Sequence, residues 1–171
     1  DLIHSFKQVA VDQSSGERRS FELKEYLAEV LLSLHPRLRK GGHAVAVDCP
    51  ERLLVDSYPG ALAQIITNLV SNSVMHAYAP NEHGHITLQI RQASGWVTLT
   101  YRDDGCGIPP EHLPRVFDPF FTTRRGSGGS GLGLHIVYNL VTQMLGGRIE
   151  LASTPGQGVE ISVRFPGSVG G

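Results

Sequence analysis

Residues 85–104, HITLQIRQASGWVTLTYRDD, constrain the fold more than any other stretch. They read as two strands joined at Ala93-Ser94-Gly95, a hairpin, because two β-prone runs meet at a short turn-forming segment. A lone hairpin is at best marginally stable in water and needs further strands or helices against it. Further strands are at hand. RSFEL and ERLLVDSY read as short extended pieces, HAVAVDC alternates as a strand does, and GGRIELASTPGQGVEISVRFP forms a second pair around TPGQG. Helical periodicity marks residues 1 to about 17, the run LKEYLAEVLLSLHPRL with a stop expected near Pro36, residues 59–77, and residues 131–145. Pro59 suits a first helical turn, where its missing N–H costs nothing.

Composition removes several classes of function. The 171 residues suit one domain with a short appendage, and 40% apolar with 18% charged content is ordinary for a soluble globular chain. A net charge of −1 argues against a nucleic-acid domain driven by phosphate neutralisation. Cys49 and Cys106 are far apart with no CxxC spacing, so neither a disulfide framework nor a zinc site is indicated. No run has the length of a membrane span, and no signal-peptide pattern opens the chain. The first residue is Asp1 rather than Met, so a piece of a longer protein is expected.

Three stretches carry chemistry. On the helix at 59–77, Asn68, Asn72 and His76 fall at i, i+4, i+8 beside the apolar face, a stripe that suits the floor of a polar site. An amide oxygen is a hard donor suited to Mg²⁺. In DDGCGIP, residues 103–109, Asp104 at the strand end can accept an exocyclic amine, Gly105 and Gly107 let backbone lie against a flat ligand, and Ile108 adds an apolar wall. Asp-Gly alone is equally a turn signal. The third stretch, RRGSGGSGLGLHIVYNLV at 124–141, runs glycines straight into a helix start. Gly126, Gly128 and Gly131 formally fit GxGxxG, but no strand precedes them, and Lys7, Lys24 and Lys40 all lie too early to serve a phosphate loop. Backbone N–H groups at such a helix start make an anion site, so the loop is expected to wrap a phosphate chain.

NLVSNSVMH, DDGCGIP, VFDPFFTT and GSGLGL, in this order, resemble the catalytic ATP-binding domain of sensor histidine kinases, in the wider ATPase group shared with gyrase, Hsp90 and MutL. The resemblance spans roughly residues 20–166, with SVRFP similar to the closing strand of such domains. It implies an α+β fold: a two-layer α/β sandwich (the Bergerat fold), its sheet mixed but mainly antiparallel, with three main helices on one face and a long lid over ATP. It further implies that Asn72 coordinates Mg²⁺, that Asn68 supports it, and that His76 sits near the phosphates or the nucleotide's edge. Asp104 would accept the adenine amine, framed by Gly105, Gly107 and Ile108. Phe117, Phe120 and Phe121 would anchor the lid, and Arg124 or Arg125 would reach the γ-phosphate. Gly129, Ser130, Gly131, Leu132, Gly133 and Leu134 would line the triphosphate. Ser73 stands where alanine is common, Ser130 where threonine is more usual, and Val159-Glu160 where a hydroxyl pair is frequent.

The same resemblance divides the chain into residues 1–17, the tail of a dimerising and phosphoacceptor helical hairpin, and residues 18–168, the kinase domain. His4, followed by Ser5 and Phe6, lacks the acidic neighbour of a phosphoacceptor, so the acceptor is expected on a helical domain outside this fragment. His83 and His85 lie at a turn without a carboxylate partner, which favours solvated histidines over a metal pair. The expected enzyme is a protein histidine kinase that binds Mg-ATP and transfers the γ-phosphoryl group. Its partners would be its own histidine-phosphotransfer domain and, downstream, a response regulator receiver domain, with no nucleic acid and no membrane contact by the fragment. A cytoplasmic location follows, including that of the cytoplasmic portion of a membrane-bound sensor. A regulatory module that holds nucleotide without transfer is the alternative. A gyrase-type ATPase ranks third, because Asn68 stands where such an enzyme needs a water-activating Glu.

Overall fold

The hairpin forms as the sequence requires. The computed structural model describes residues 2–121 and 133–168, with side chains from residue 7 onward. In it β4 (His85–Ala93) and β5 (Trp96–Asp103) pair antiparallel from Ile86↔Asp103 to Ala93↔Trp96. Ser94 and Gly95 alone make the turn, at φ 52° and 81°, the double left-handed geometry that matches strand twist. Ile86, Leu88 and Ile90 of β4 and Val97, Leu99 and Tyr101 of β5 are buried, whereas Thr87, Arg91 and Arg102 point to solvent. One face of the sheet is therefore covered and the other open.

Among the described residues five strands make this sheet in the order β2-β4-β5-β7-β6, with β2 (Ala44–Asp48), β6 (Arg148–Ser153) and β7 (Val159–Pro166). Only β2 runs parallel to its neighbour, β4; β5, β7 and β6 follow antiparallel. The parallel pair needs a long crossover, and the chain between them supplies it with β3 (Leu54–Ser57) and α3 (Pro59–Asn72). β3 pairs with β1 (Arg19–Glu22) in a separate two-stranded ribbon.

Three helices cover the inner face. Leu27, Val30 and Leu34 of α2 (Leu23–Gly41), Leu62, Ile65, Ile66 and Leu69 of α3, and Val137 of α4 (Gly133–Asn139) join the inward strand residues in one core. The expected two-layer α+β sandwich is the observed one. Both α3 and α4 finish in a wider π turn, over Ser73–Ala77 and Leu140–Met144, so the periodicity read over 59–77 ends in looser winding. No helix among the described residues is long and apolar enough to cross a membrane.

One boundary differs from expectation. α2 does not stop near Pro36 but continues to Gly41, ending on Gly42 in the left-handed conformation at φ 70°. Pro36 and Leu32, whose carbonyl loses its helical donor, are both on the exposed side of the helix, while Leu38 beyond the proline is buried. Core packing on the far side holds the helix through.

The first helix, α1 (Leu2–Ser15), lies against α2 and α3. Asp12, 6% exposed, accepts from Arg19 at 2.8 Å and from Gln8 at 3.2 Å. Its backbone carbonyl lies so close to Gly60 that a Cβ there would sit 1.9 Å from it. Gly60→Ala should therefore push α1 off α3, cost about 1–3 kcal/mol of stability, and raise hydrogen exchange across residues 7–15. Unchanged melting and exchange would show that this contact yields freely.

Candidate functional site

A cavity of about 700 Å³ opens between α3, α4 and the C-terminal end of β5. Asn68, Asn72 and His76 line it from the helix side, as their stripe predicts. The asparagines also fix the second helix. Asn68 accepts from Gln64 at 2.7 Å and donates through Nδ2 to the Gly133 carbonyl at 3.3 Å. Asn72 Oδ1 lies 3.1 Å from where a Gly133 Cβ would stand, so any side chain at 133 would press on Asn72 where α4 begins. Gly133 and Leu134 line the cavity in consequence.

The opposite wall comes from the loop after β5. Gly105 is packed so tightly that a Cβ would meet the Ala77 side chain at 2.4 Å, and the next residue, Cys106, donates its N–H to the Ala77 carbonyl at 2.9 Å. Gly107 takes φ 76°, and Ile108 is held by its N–H on the Ser153 hydroxyl at 2.8 Å. Gly107 and Ile108 line the cavity, whereas Gly105 sits behind them and borders the polar recess of Tyr78 and Asp104. Phe121 lines the mouth, edge-on to His112 at 5.4 Å and under Arg115 at 4.8 Å. Phe117 does not line the cavity. It packs on Tyr138 at 5.5 Å, and its carbonyl contacts His135 Nδ1 at 3.2 Å, so it secures α4 instead. The expectations for Arg124, Arg125, Gly129, Ser130, Gly131 and Leu132 lie outside the described residues.

Asp104 requires correction. Its carboxylate faces away from the cavity, more than half exposed, and accepts from the Tyr78 hydroxyl at 2.9 Å, the His85 N–H at 2.7 Å and the His85 ring at 3.3 Å. Partial burial works against its charge, but these donors prevail and hold its pKa below the usual carboxylate value. Asp103 is the carboxylate that lines the cavity, 8% exposed, with Ser73 donating at 2.7 Å and the N–H groups of Gly105 and Val159 at 3.1 Å. The signal was strand parity: Val97, Leu99 and Tyr101 point inward, so Asp103 must follow them and Asp104 cannot. Ser73 and Val159, noted in the sequence as departures from the family's pattern, also line the cavity, as does Tyr101, which was not expected there.

Beside Asp104, the His43 ring stacks on Tyr78 at 4.7 Å and its Nδ1 accepts the Gly84 N–H at 2.9 Å. Burial first, and then the neighbouring His83, lower the His43 pKa. A depressed histidine binds its proton more readily in the unfolded chain. Its contribution to stability is thus present above the ordinary value of about 6.5 and fades as pH falls towards the folded value. In an NMR titration His43 should protonate below about 6.5, and the Gly84 amide should become exchange-labile as it does. Titration of His43 above that value would show that its ring is not held neutral.

The chain is similar to known proteins over most of its length. Residues 58–169 match the family described as histidine kinase-, DNA gyrase B-, and HSP90-like ATPase. The chain is 33% identical over 172 residues to the sensor histidine kinase RcsC of Escherichia coli, covering 96% of this chain and 17% of that protein. It is 36% identical over 131 residues to the two-component sensor PprA of Pseudomonas aeruginosa, covering 72% of this chain and 14% of that one. The chain thus spans about a sixth of the length of such relatives. Among solved structures, the nucleotide-free catalytic domain of histidine kinase ThkA superposes with a TM-score of 0.76 at 28% identity, over 89% of this chain and 97% of that one. Full-length ShkA in complex with AMPPNP superposes at 0.73 with 25% identity, over 96% of this chain and 35% of that one.

Proposed function

We propose, from the premise that this chain belongs to the histidine kinase-, DNA gyrase B-, and HSP90-like ATPase family and is a sensor histidine kinase catalytic domain, that its cavity binds Mg-ATP for phosphoryl transfer to a histidine outside these residues. The observation that carries this reading is the pairing of opposite chemistries across one cavity. Asn68 and Asn72 stand with the start of α4 on one side; a buried carboxylate, Asp103, stands beside Ile108 on the other. A triphosphate suits the first side, where amide groups meet a helix N-terminus, and a flat base with an exocyclic amine suits the second. The nucleotide analogue held by ShkA is in keeping with such an occupant.

Each residue then has a task. Asp103 takes the adenine amine in place of Asp104, and Gly107 and Ile108 frame the base. Asn72 offers an amide oxygen at the phosphate side, the hard donor that Mg²⁺ accepts, and Asn68 holds the opening of α4 in register. The metal's contribution is to neutralise charge on the phosphate oxygens, while the chain's residues orient the nucleotide. Phe121 closes the mouth. Arg124 or Arg125 is assigned to the γ-phosphate, with Gly129, Ser130, Gly131 and Leu132 along the chain of phosphates. α1 is the end of a dimerising hairpin, residues 1–17, whose remainder carries the acceptor. A receiver domain takes the phosphoryl group from that histidine.

Two measurements test this. By calorimetry, Asp103→Asn should weaken ATP by about 10- to 100-fold, the worth of a hydrogen bond to a charged group, whereas Asp104→Asn should leave it nearly unchanged. The reverse order would restore Asp104 as the base reader. With γ-labelled ATP, residues 1–171 alone should bind without labelling themselves, because in-line attack needs a nitrogen opposite the leaving oxygen and His76 is fixed in the cavity's own floor. Adding the separate helical hairpin should restore labelling, and Asn72→Ala should abolish it. Strong self-labelling of the isolated chain would refute the assignment of the acceptor.

A further inference from the structure

Asp103 has more partners than a base-reading carboxylate needs. Its Oδ1 accepts both backbone N–H groups, of Gly105 and Val159, and its Oδ2 accepts the Ser73 hydroxyl. A carboxylate offers about four acceptor directions, two per oxygen. Oδ1 is therefore filled, and Oδ2 keeps one direction. The Ser73 oxygen is itself pinned: at 2.5 Å it accepts from the Tyr101 hydroxyl, whose one hydrogen has the Leu69 carbonyl at 3.0 Å as its other acceptor. Ser73 is 3% exposed and Tyr101 1%, so the group of hydroxyls is closed to bulk water. Ser73 has one hydrogen, and it goes to Asp103.

We propose that Ser73 is a positioning residue that sets which base edge the cavity accepts, an inference that rests on the nucleotide reading above. With its hydroxyl on Oδ2, Asp103 presents a single acceptor at a fixed angle. That acceptor fits a base edge bringing one N–H, as a 6-amino purine does. A 6-oxo purine opposes it with a second acceptor, and a purine bare at position 6 brings nothing to it. Without the hydroxyl, Oδ2 has two open directions and the carboxylate turns as far as the two backbone N–H groups permit. The cavity keeps its shape and loses its preference. The helix supplies this group at the first residue of its π turn, where the buried face of α3 meets the end of β5.

The test compares ATP with purine riboside triphosphate, which lacks the amine, by calorimetry on the full chain. In Ser73→Ala the preference for ATP should fall about 5-fold, the ordinary worth of one hydrogen bond, with the affinity of the second ligand unchanged. Ser73→Thr, which keeps the hydroxyl, should retain the preference. An equal loss for both ligands would mean that Ser73 only supports the structure and would overturn the proposal, as would an unchanged ratio. If the added methyl prevents Ser73→Thr from folding, Tyr101→Phe decides, since it keeps the ring and removes the hydroxyl that pins Ser73. The preference must fall there too, by less, and its retention would count against the proposal. A native chain that binds neither ligand overturns the nucleotide reading itself. A native preference that survives in Ser73→Ala overturns the role of Ser73 alone.

Discussion

The buried carboxylate of Asp103 ties the two layers together where the cavity opens. A group of this kind taken from water needs several donors to replace its hydration. Here they come from three separate pieces of chain: Ser73 at the end of α3, Gly105 just past β5, and Val159 at the start of β7. Satisfying one side chain therefore fixes the helix layer against two neighbouring strands. It also sets the path of the DDGCGIP loop, whose backbone is closed further by Cys106 on the Ala77 carbonyl. That wall of the cavity is held by the same bonds that hold the fold.

Most of the architecture could be read from alternation and helical period, because both report burial directly. The hairpin of residues 85–103, the outer strand pair, the ribbon strands and the long helices all appear where their patterns lie. Pro36 misled because a local rule about backbone donors was weighed without knowing which side of the helix faces water. Asp104 misled for a different reason. Two adjacent aspartates invite a choice by motif, yet the pleat had already made it, since β5 continues inward through Asp103. What no pattern reveals is the long-range set of Tyr78, His85 and Asp104, or of Leu69, Tyr101 and Ser73. Those partners are separated by 19 to 32 residues, and only the fold brings them together.

The site stripe was legible for the residues that sit on one helix. Asn68 and Asn72 share α3 and His76 lies in the π turn that continues it, so one run of chain gathers them at the cavity. Gly133 was expected to line the triphosphate, and a side chain at 133 would also crowd Asn72. Helix packing is the visible reason for a small residue there. The same logic holds at Gly60, where the closeness is between α3 and the backbone of α1. Glycines in this chain mark where elements meet as much as where they turn.

The hairpin also decides what light can report about this protein. Its single tryptophan, Trp96, sits at the turn end of β5, half a sheet away from Asp103 at the other end of the same strand. Seven residues of extended chain separate them by roughly 23 Å at about 3.3 Å per residue. The indole rests on the open face under the Arg164 guanidinium, 4.9 Å from its ring centre. Intrinsic emission will therefore follow the unzipping of β5 from β7 and stay nearly silent to whatever enters the cavity. The fold carries a built-in optical gauge of its own integrity, optically separate from its occupancy.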